Sequence, residues 1–279
     1  MKFTFGICST GGNEGHILNF IKSVEDNKIP TDNYEILVVG DLNNQYFGQN
    51  KNVKVIPFDE SLQPGWITRK KNLITEYALY DNIVFLHDYL ILKNSWYDSM
   101  CKFGDAWDVL VTRIENNNGM RFRDWVLLGN GRKNCKKIQI KNLNVNVDPY
   151  NPFIEVNHPD SKALLPYDET RFSKWIYVSG AYWLAKKKFM IENPLNEDLS
   201  WGESEDIEWS IRVRKKTKIK FAKSPTVKIN KPGKIAIYSE CSKKFLDEIY
   251  FKIYNYYDKL PEQDVSLDGK LSEELKKII

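Results

Sequence analysis

The chain has 279 residues, 42% of them hydrophobic, with 41 basic against 37 acidic side chains for a formal charge of +4. A nearly balanced mixture gives no electrostatic reason to bind a nucleic-acid polymer, and the length suffices to bury a large core. Four scattered cysteines, Cys8, Cys101, Cys135 and Cys241, form no CxxC pair, which argues against a zinc knuckle or a disulfide framework. The opening "MKFTFGICSTGGNEGH" does not read as a signal peptide, and no later run reaches the length of a membrane span. The expectation is a cytoplasmic protein, either free or peripheral at a membrane. One main domain is expected over residues 1–235, with halves at 1–115 and 116–235, followed by a helical extension at 236–279.

"KFTFGICS", residues 2–9, reads as a strand that stops at Gly11 and Gly12. Ile17, Leu18, Phe20, Ile21 and Val24 then recur at helical spacing. "YEILVVGD" at 34–41 and "NVKVIPF" at 52–58 are further strands, the first continuously apolar as in a sheet covered on both faces. "WITRKKNLITEYAL" at 66–79 predicts a helix, and "NIVFLHDYLIL" at 82–92 another buried strand. The β-α-β-β-α-β order points to an α/β fold with a mixed, mainly parallel sheet flanked by helices. After "DVLVTRI" at 108–114 the period is lost, and an irregular lobe is expected. "KWIYVSGAYWLAKKKFMIEN" at 174–193 predicts a strand, a glycine and a helix; the acidic helix "ESEDIEWSIR" follows, then two strand-like pieces, "KIKFA" and "TVKI". Two amphipathic helices are expected in the tail after Glu240.

In such a sheet, ligands lie beyond the carboxyl ends of the strands. Those ends carry Ser9 and Thr10, Asp41, and Asp88 with His87, a set that suits a nucleotide whose phosphates lie near Asp88. Asp41 either caps the loop that follows it or faces this crevice. A carboxylate ending a run as apolar as "IVFL" needs a partner, and a divalent cation bridging phosphates is one. His87 is either a satisfied sheet-end histidine or a supporting group. Arg69, Lys70 and Lys71 open a helix and together favour an anion, at least one of them standing on a solvated face; Arg69 and Asn72, about one turn apart, face the crevice together. On a helical wheel, Ile207 and Ile211 form one buried stripe and Trp209 and Val213 another. Glu208 and Arg212 pair at i,i+4. Asp206, with Glu203 beside it, is left for a pocket-facing role as general base, and Glu205 for capping or substrate contact.

Taken in order, "EILVVGD", "GWITRKKN", "IVFLHDYL", "VSGAYWLAKKKF" and "WGESEDIEWSIRVR" resemble the nucleotide-sugar glycosyltransferases of the GT-A fold, family 2 in particular. The resemblance spans residues 3 to about 230. It implies that Ser9, Thr10, Asp41, Arg69 and Asn72 bind the donor and that Asp88 holds Mn2+ or Mg2+ with the diphosphate. It also implies that Asp206, with Glu205, drives an inverting transfer from a UDP-sugar in glycan biosynthesis. "WGESED" is similar to an acceptor motif of galactosyl and N-acetylgalactosaminyl transferases, which assigns Trp201, Gly202, Glu203 and Gly180 to a glycan, lipid-linked or protein acceptor, with Trp201 as a stacking floor. Two features depart from the pattern. "HDY" offers a single aspartate, and no histidine follows the acceptor helix, so Lys228 or Lys231 is the candidate to hold the diphosphate instead. Trp125, Tyr150, Tyr167 and Trp175 either stack on sugars or anchor packing. A nucleotidyltransferase, a binding module without turnover and a homo-oligomer remain open alternatives.

Overall fold

The computed structural model describes residues 1–42, 47, 50–127, 136–140, 143–147, 154–157, 163–169, 171, 176–203, 205–231, 239–240, 242–244 and 246–247. The first half carries β1 (Phe3–Cys8), α1 (Glu14–Asp26), β2 (Tyr34–Gly40), β3 (Val53–Pro57), α2 (Ile67–Tyr77), β4 (Asn82–His87), β5 (Leu90–Leu92), α3 (Trp96–Phe103) and β6 (Val109–Glu115). Short strands follow: β7 (Trp125–Leu127), β8 (Lys136–Ile140), β9 (Leu143–Val147), β10 (Ile154–Asn157), β11 (Ala163–Leu164) and β12 (Ile176–Val178). The chain then forms β13 (Tyr182–Lys186), α4 (Lys187–Glu192), α5 (Glu205–Val213), β14 (Lys220–Ile229) and β15 (Ser239–Glu240).

The main sheet runs in the order β3-β2-β1-β4-β13-β6-β14-β5. The pairs β3/β2, β2/β1, β1/β4 and β6/β14 are parallel, while β13 is antiparallel to both of its neighbours. The chain works outward from β1 to β3 and then returns to place β4 on the other side of β1. This reversal opens a crevice beyond the ends of β1 and β4.

Side chains alternate across the sheet because strand periodicity is two. Phe3, Phe5 and Val84 pack with Ile17 and Phe20 of α1 and with Trp96 and Met100 of α3 on one face. Phe85, Val109 and Trp183 pack with Ile74 of α2, Met190 of α4 and Trp209 of α5 on the other. The Trp183 ring lies between Phe85 and Trp209, at centroid distances of 4.4 and 4.3 Å. α5 is covered on two sides as its wheel predicts: Trp209 and Val213 enter the main core, and Ile207 and Ile211 pack on Leu164 and Tyr177.

Gly6 in β1 lets α2 come close, since a Cβ there would stand 2.2 Å from Ile74 Cγ2. With β2 and β4 bonded on either side, β1 cannot retreat. Gly6→Ala is expected to destabilise by about 1–3 kcal/mol, as overpacking does. Urea unfolding checks this, and an unchanged midpoint would show that the α2 contact is loose.

Four expectations are corrected. Residues 82–92 form two strands, because the chain turns at Asp88 and Tyr89, where the Asp88 carboxylate is captured by residues after β1. The glycine in "VSGAYW" separates β12 from β13, and the helix begins only at Lys187. "KIKFA" and "TVKI" are one strand, β14, whose pairing with β6 shifts between Ala222 and Thr226, where Pro225 has no N–H to give. The lobe expected to be irregular contains β7 to β11, which with β12, in the stretch expected to be a strand, and β15 form two small sheets. The expected tail helices fall largely outside the described residues. Leu246, 0% exposed, joins the main core, and Asp247 pairs with Arg171 at 2.7 Å.

Candidate active site

An open cleft of about 580 Å³ lies at the crevice, lined by Ser9, Thr10, Asn13, Asp88, Glu205 and Asp206 among others. Its first wall is the turn after β1. Ser9 continues the strand by donating its N–H to Val39 O at 3.0 Å, and Gly11 then turns with φ of 88°. A side chain at Gly11 would meet the Asp41 carbonyl at 2.6 Å, so the turn admits glycine alone. Ser9 Oγ donates to Asp88 Oδ2 at 2.8 Å and accepts the Gly11 N–H at 3.2 Å. Asn13 Nδ2 donates to the same oxygen at 2.9 Å. One oxygen of this buried carboxylate, only 7% exposed, is thus held by the β1 turn.

The second wall is the β12–β13 turn with the start of α5. His87 N–H donates to Ala181 O at 3.0 Å, tying the end of β4 to this turn. Gly180 N–H donates to Asp206 Oδ2 and Ile207 N–H to Asp206 Oδ1, both at 2.9 Å, so each oxygen of Asp206 is oriented by backbone. Glu205 is 5% exposed, and burial pushes its carboxyl above the usual range; Lys71 opposes the shift and Asp206 adds to it. Burial also raises the Cys8 thiol to about 11, so it stays protonated and is not a nucleophile near neutral pH. The Tyr89 phenol is raised to about 12, by burial first and then by Asp88.

Two consecutive lysines of α2 hold the walls together. Lys70, 2% exposed, donates to Ser9 O at 2.7 Å and ion-pairs with Glu60. Lys71, 0% exposed, donates to Gly180 O at 3.0 Å. These are the buried members of the basic cluster. Arg69 is instead half-buried against Glu76 and Glu197, at 2.7 and 3.1 Å. Asn72 donates to Leu195 O and Glu197 Oε1 at 3.0 and 2.8 Å, and its Oδ1 accepts the Leu195 N–H at 3.0 Å. Arg69 and Asn72 therefore clamp residues 195–197 and do not line the cleft, because that segment covers the helix face they occupy.

Of the remaining expected residues, Thr10, Gly180, Trp201 and Gly202 line the cleft. Trp201 is 67% exposed, and its N–H donates to Gly65 O at 2.8 Å. Glu203 is exposed outside the lining, and its carboxylate accepts the Ser200 N–H at 2.6 Å within its own turn. Asp41 is exposed and also outside the lining. Glu208 and Arg212 form the expected ion pair, with a second contact at 3.1 Å. Tyr167 is a packing anchor: its hydroxyl donates to Asp124 at 2.6 Å and its ring lies under Arg121 at 4.0 Å. Tyr150 and Trp175 lie outside the described residues, as does the Trp125 side chain. Sequence reasoning missed Asn13, the tethering roles of Lys70 and Lys71, and Arg123, which lines the cleft from a segment without period.

Among the described residues, no three His, Cys, Asp or Glu side chains gather into a metal site. No described helix is long and apolar enough to cross a membrane.

No protein-family model matches the chain, and no curated protein matches it in sequence. Among solved structures, GalNAc-T7 with UDP, GalNAc and Mn2+ is similar at a TM-score of 0.56 and 15% identity, over 99% of this chain and 54% of that one. The chain thus spans about half the length of that neighbour. S. aureus TarS 1–349 in complex with UDP is similar at a TM-score of 0.48 and 15% identity, over 95% of this chain and 67% of that one. The fold is the GT-A glycosyltransferase fold.

Proposed function

From this GT-A fold and the acids on its cleft, we propose that the chain is an inverting glycosyltransferase, moving a sugar from a nucleotide-diphosphate donor to a hydroxyl acceptor. The observation that carries the reading is the Asp206 carboxylate, held by two backbone N–H groups in the same cleft as Asp88. Ser9, Thr10 and Asp88 bound the donor end, and Gly180, Trp201 and Gly202 the acceptor end. Asp206 takes the proton of the attacking hydroxyl as its oxygen bonds to the anomeric carbon. The bond from that carbon to the diphosphate breaks on the opposite face, and the nucleoside diphosphate leaves with the electron pair. Glu205 sits beside the base as a second carboxyl, protonated more readily than usual. The UDP bound by GalNAc-T7 favours a UDP-hexose or UDP-N-acetylhexosamine as donor. The exposed Trp201 ring suits a sugar face on the acceptor, the classes in view being a glycan, a lipid-linked acceptor or a protein.

A ligand bound only by the folded state raises the melting midpoint, by about 2.7 kcal/mol of stability at a hundredfold excess over Kd. A panel of nucleotide sugars is expected to give a selective rise with one donor class. A panel in which no nucleotide or nucleotide sugar moves the midpoint would count against the reading.

A further inference from the structure

Among the described residues, the donor end of the cleft has one carboxylate and two cations without carboxylate partners. Asp88 is the sole acid at the end of β4, and its Oδ2 already receives two hydrogen bonds. A divalent cation wants about six oxygen ligands, with one or two carboxylates from the protein even where phosphates supply others. A single aspartate whose Oδ2 is already engaged by Ser9 and Asn13 gives such an ion the minimum of protein ligands, and an unscreened Asp88 would repel a diphosphate.

Arg123 and Lys231 line the same cleft. The Arg123 Nε is buried with no hydrogen-bond partner among the described residues. A buried guanidinium nitrogen left unmatched is costly unless an anion completes it. The backbone on either side of Arg123 is fixed: Arg121 Nε donates to Asp124 Oδ1 at 2.9 Å, Arg121 Nη1 to Leu165 O at 2.7 Å, and Phe122 N–H to Ile114 O at 2.7 Å. Lys231 is exposed, with its ammonium 5.8 Å from the centre of the Tyr89 ring, and its own carbonyl accepts Asn117 Nδ2 at 2.6 Å. Both cations act on Tyr89, the residue after Asp88: the Arg123 charge opposes the rise of its phenol and the Lys231 ammonium faces its ring. Guanidinium and ammonium groups are the side chains suited to a diphosphate, the first as a planar fork and the second as a point charge.

We propose that Arg123 and Lys231 hold the diphosphate of the donor in place of a divalent cation, so that donor binding needs no metal. The proposal rests on the glycosyltransferase reading and names the chemistry of its donor end. The test is calorimetric titration of the whole chain with UDP, CDP, GDP and dTDP and with the matching nucleosides, in EDTA and again in MnCl2. One diphosphate is expected to bind equally well in both. Arg123→Gln and Lys231→Gln are each expected to weaken it by about 10- to 100-fold while leaving the nucleoside unchanged. Arg123→Lys, which keeps the charge and loses the fork, is expected to fall between, and it guards against a folding defect in Arg123→Gln. Binding that vanishes in EDTA and returns with manganese would overturn the proposal, as would variants that bind the diphosphate as wild type does. A chain that binds no diphosphate under either condition would overturn the glycosyltransferase reading itself.

Discussion

Asp206→Asn is expected to lower turnover by about 10²- to 10⁴-fold, the range that a positioned general base contributes, while donor affinity stays near wild type. The substitution keeps size and shape but removes the group that takes the proton. Because Gly180 N–H and Ile207 N–H each meet a different oxygen, one of them loses its acceptor in the amide, so a small loss of stability accompanies the kinetic effect. Glu205→Gln is the necessary comparison. If Glu205→Gln abolishes turnover and Asp206→Asn does not, the roles of the two carboxyls are exchanged. If neither matters, the cleft does no chemistry of this kind.

The second large effect is expected at Lys71. Its ammonium is wholly buried, donates to Gly180 O, and lies 6.0 Å from the centre of the Trp183 ring. Lys71→Met fills similar space but leaves the Gly180 carbonyl without its charged donor, at a cost of about 1.5–3 kcal/mol. The loss should also depend on pH. Burial raises the Glu205 carboxyl above its ordinary value of 4.5, and Lys71 is the cation that opposes this. A carboxyl raised in the folded state holds its proton more tightly there than in the unfolded chain, so its contribution is fully present below the unfolded pKa. That contribution is lost as pH rises through the folded value. Without Lys71 the folded value rises further, and the gap between variant and wild type should widen from pH 4 to pH 7. Urea unfolding at both pH values measures it; a constant gap would mean that Lys71 does not act on Glu205.

The path from β1 to β4 could be read from the sequence because its signals are local. "YEILVVG" and "NIVFLH" are continuous apolar runs, and Gly11 and Gly12 break the chain where a turn is required. Ser9 and Asp88 could be placed together because both end adjacent parallel strands, whereas Asn13 reaches Asp88 only through the geometry of the turn. The lysines of α2 illustrate the limit. The sequence places Arg69, Lys70, Lys71 and Asn72 on one helix but cannot say that residues 195–197 cover one face of it and that Ser9 and Gly180 await ammonium groups on another. The strands of the middle segment were hidden for another reason. β11 has only two residues, too few to show a period, and β9, "LNVNV", does alternate as a strand should but over only five residues between polar stretches.

Inversion by Asp206 is the central claim, and the first-formed sugar anomer tests it most directly. The chain would be incubated with the nucleotide sugar that raises its melting midpoint, and proton NMR would follow the anomeric signal of the transferred or hydrolysed sugar before mutarotation. An α-linked donor giving a β product, with no signal from Asp206→Asn, is the predicted result. An α product, or the same rate from the variant, would contradict the account.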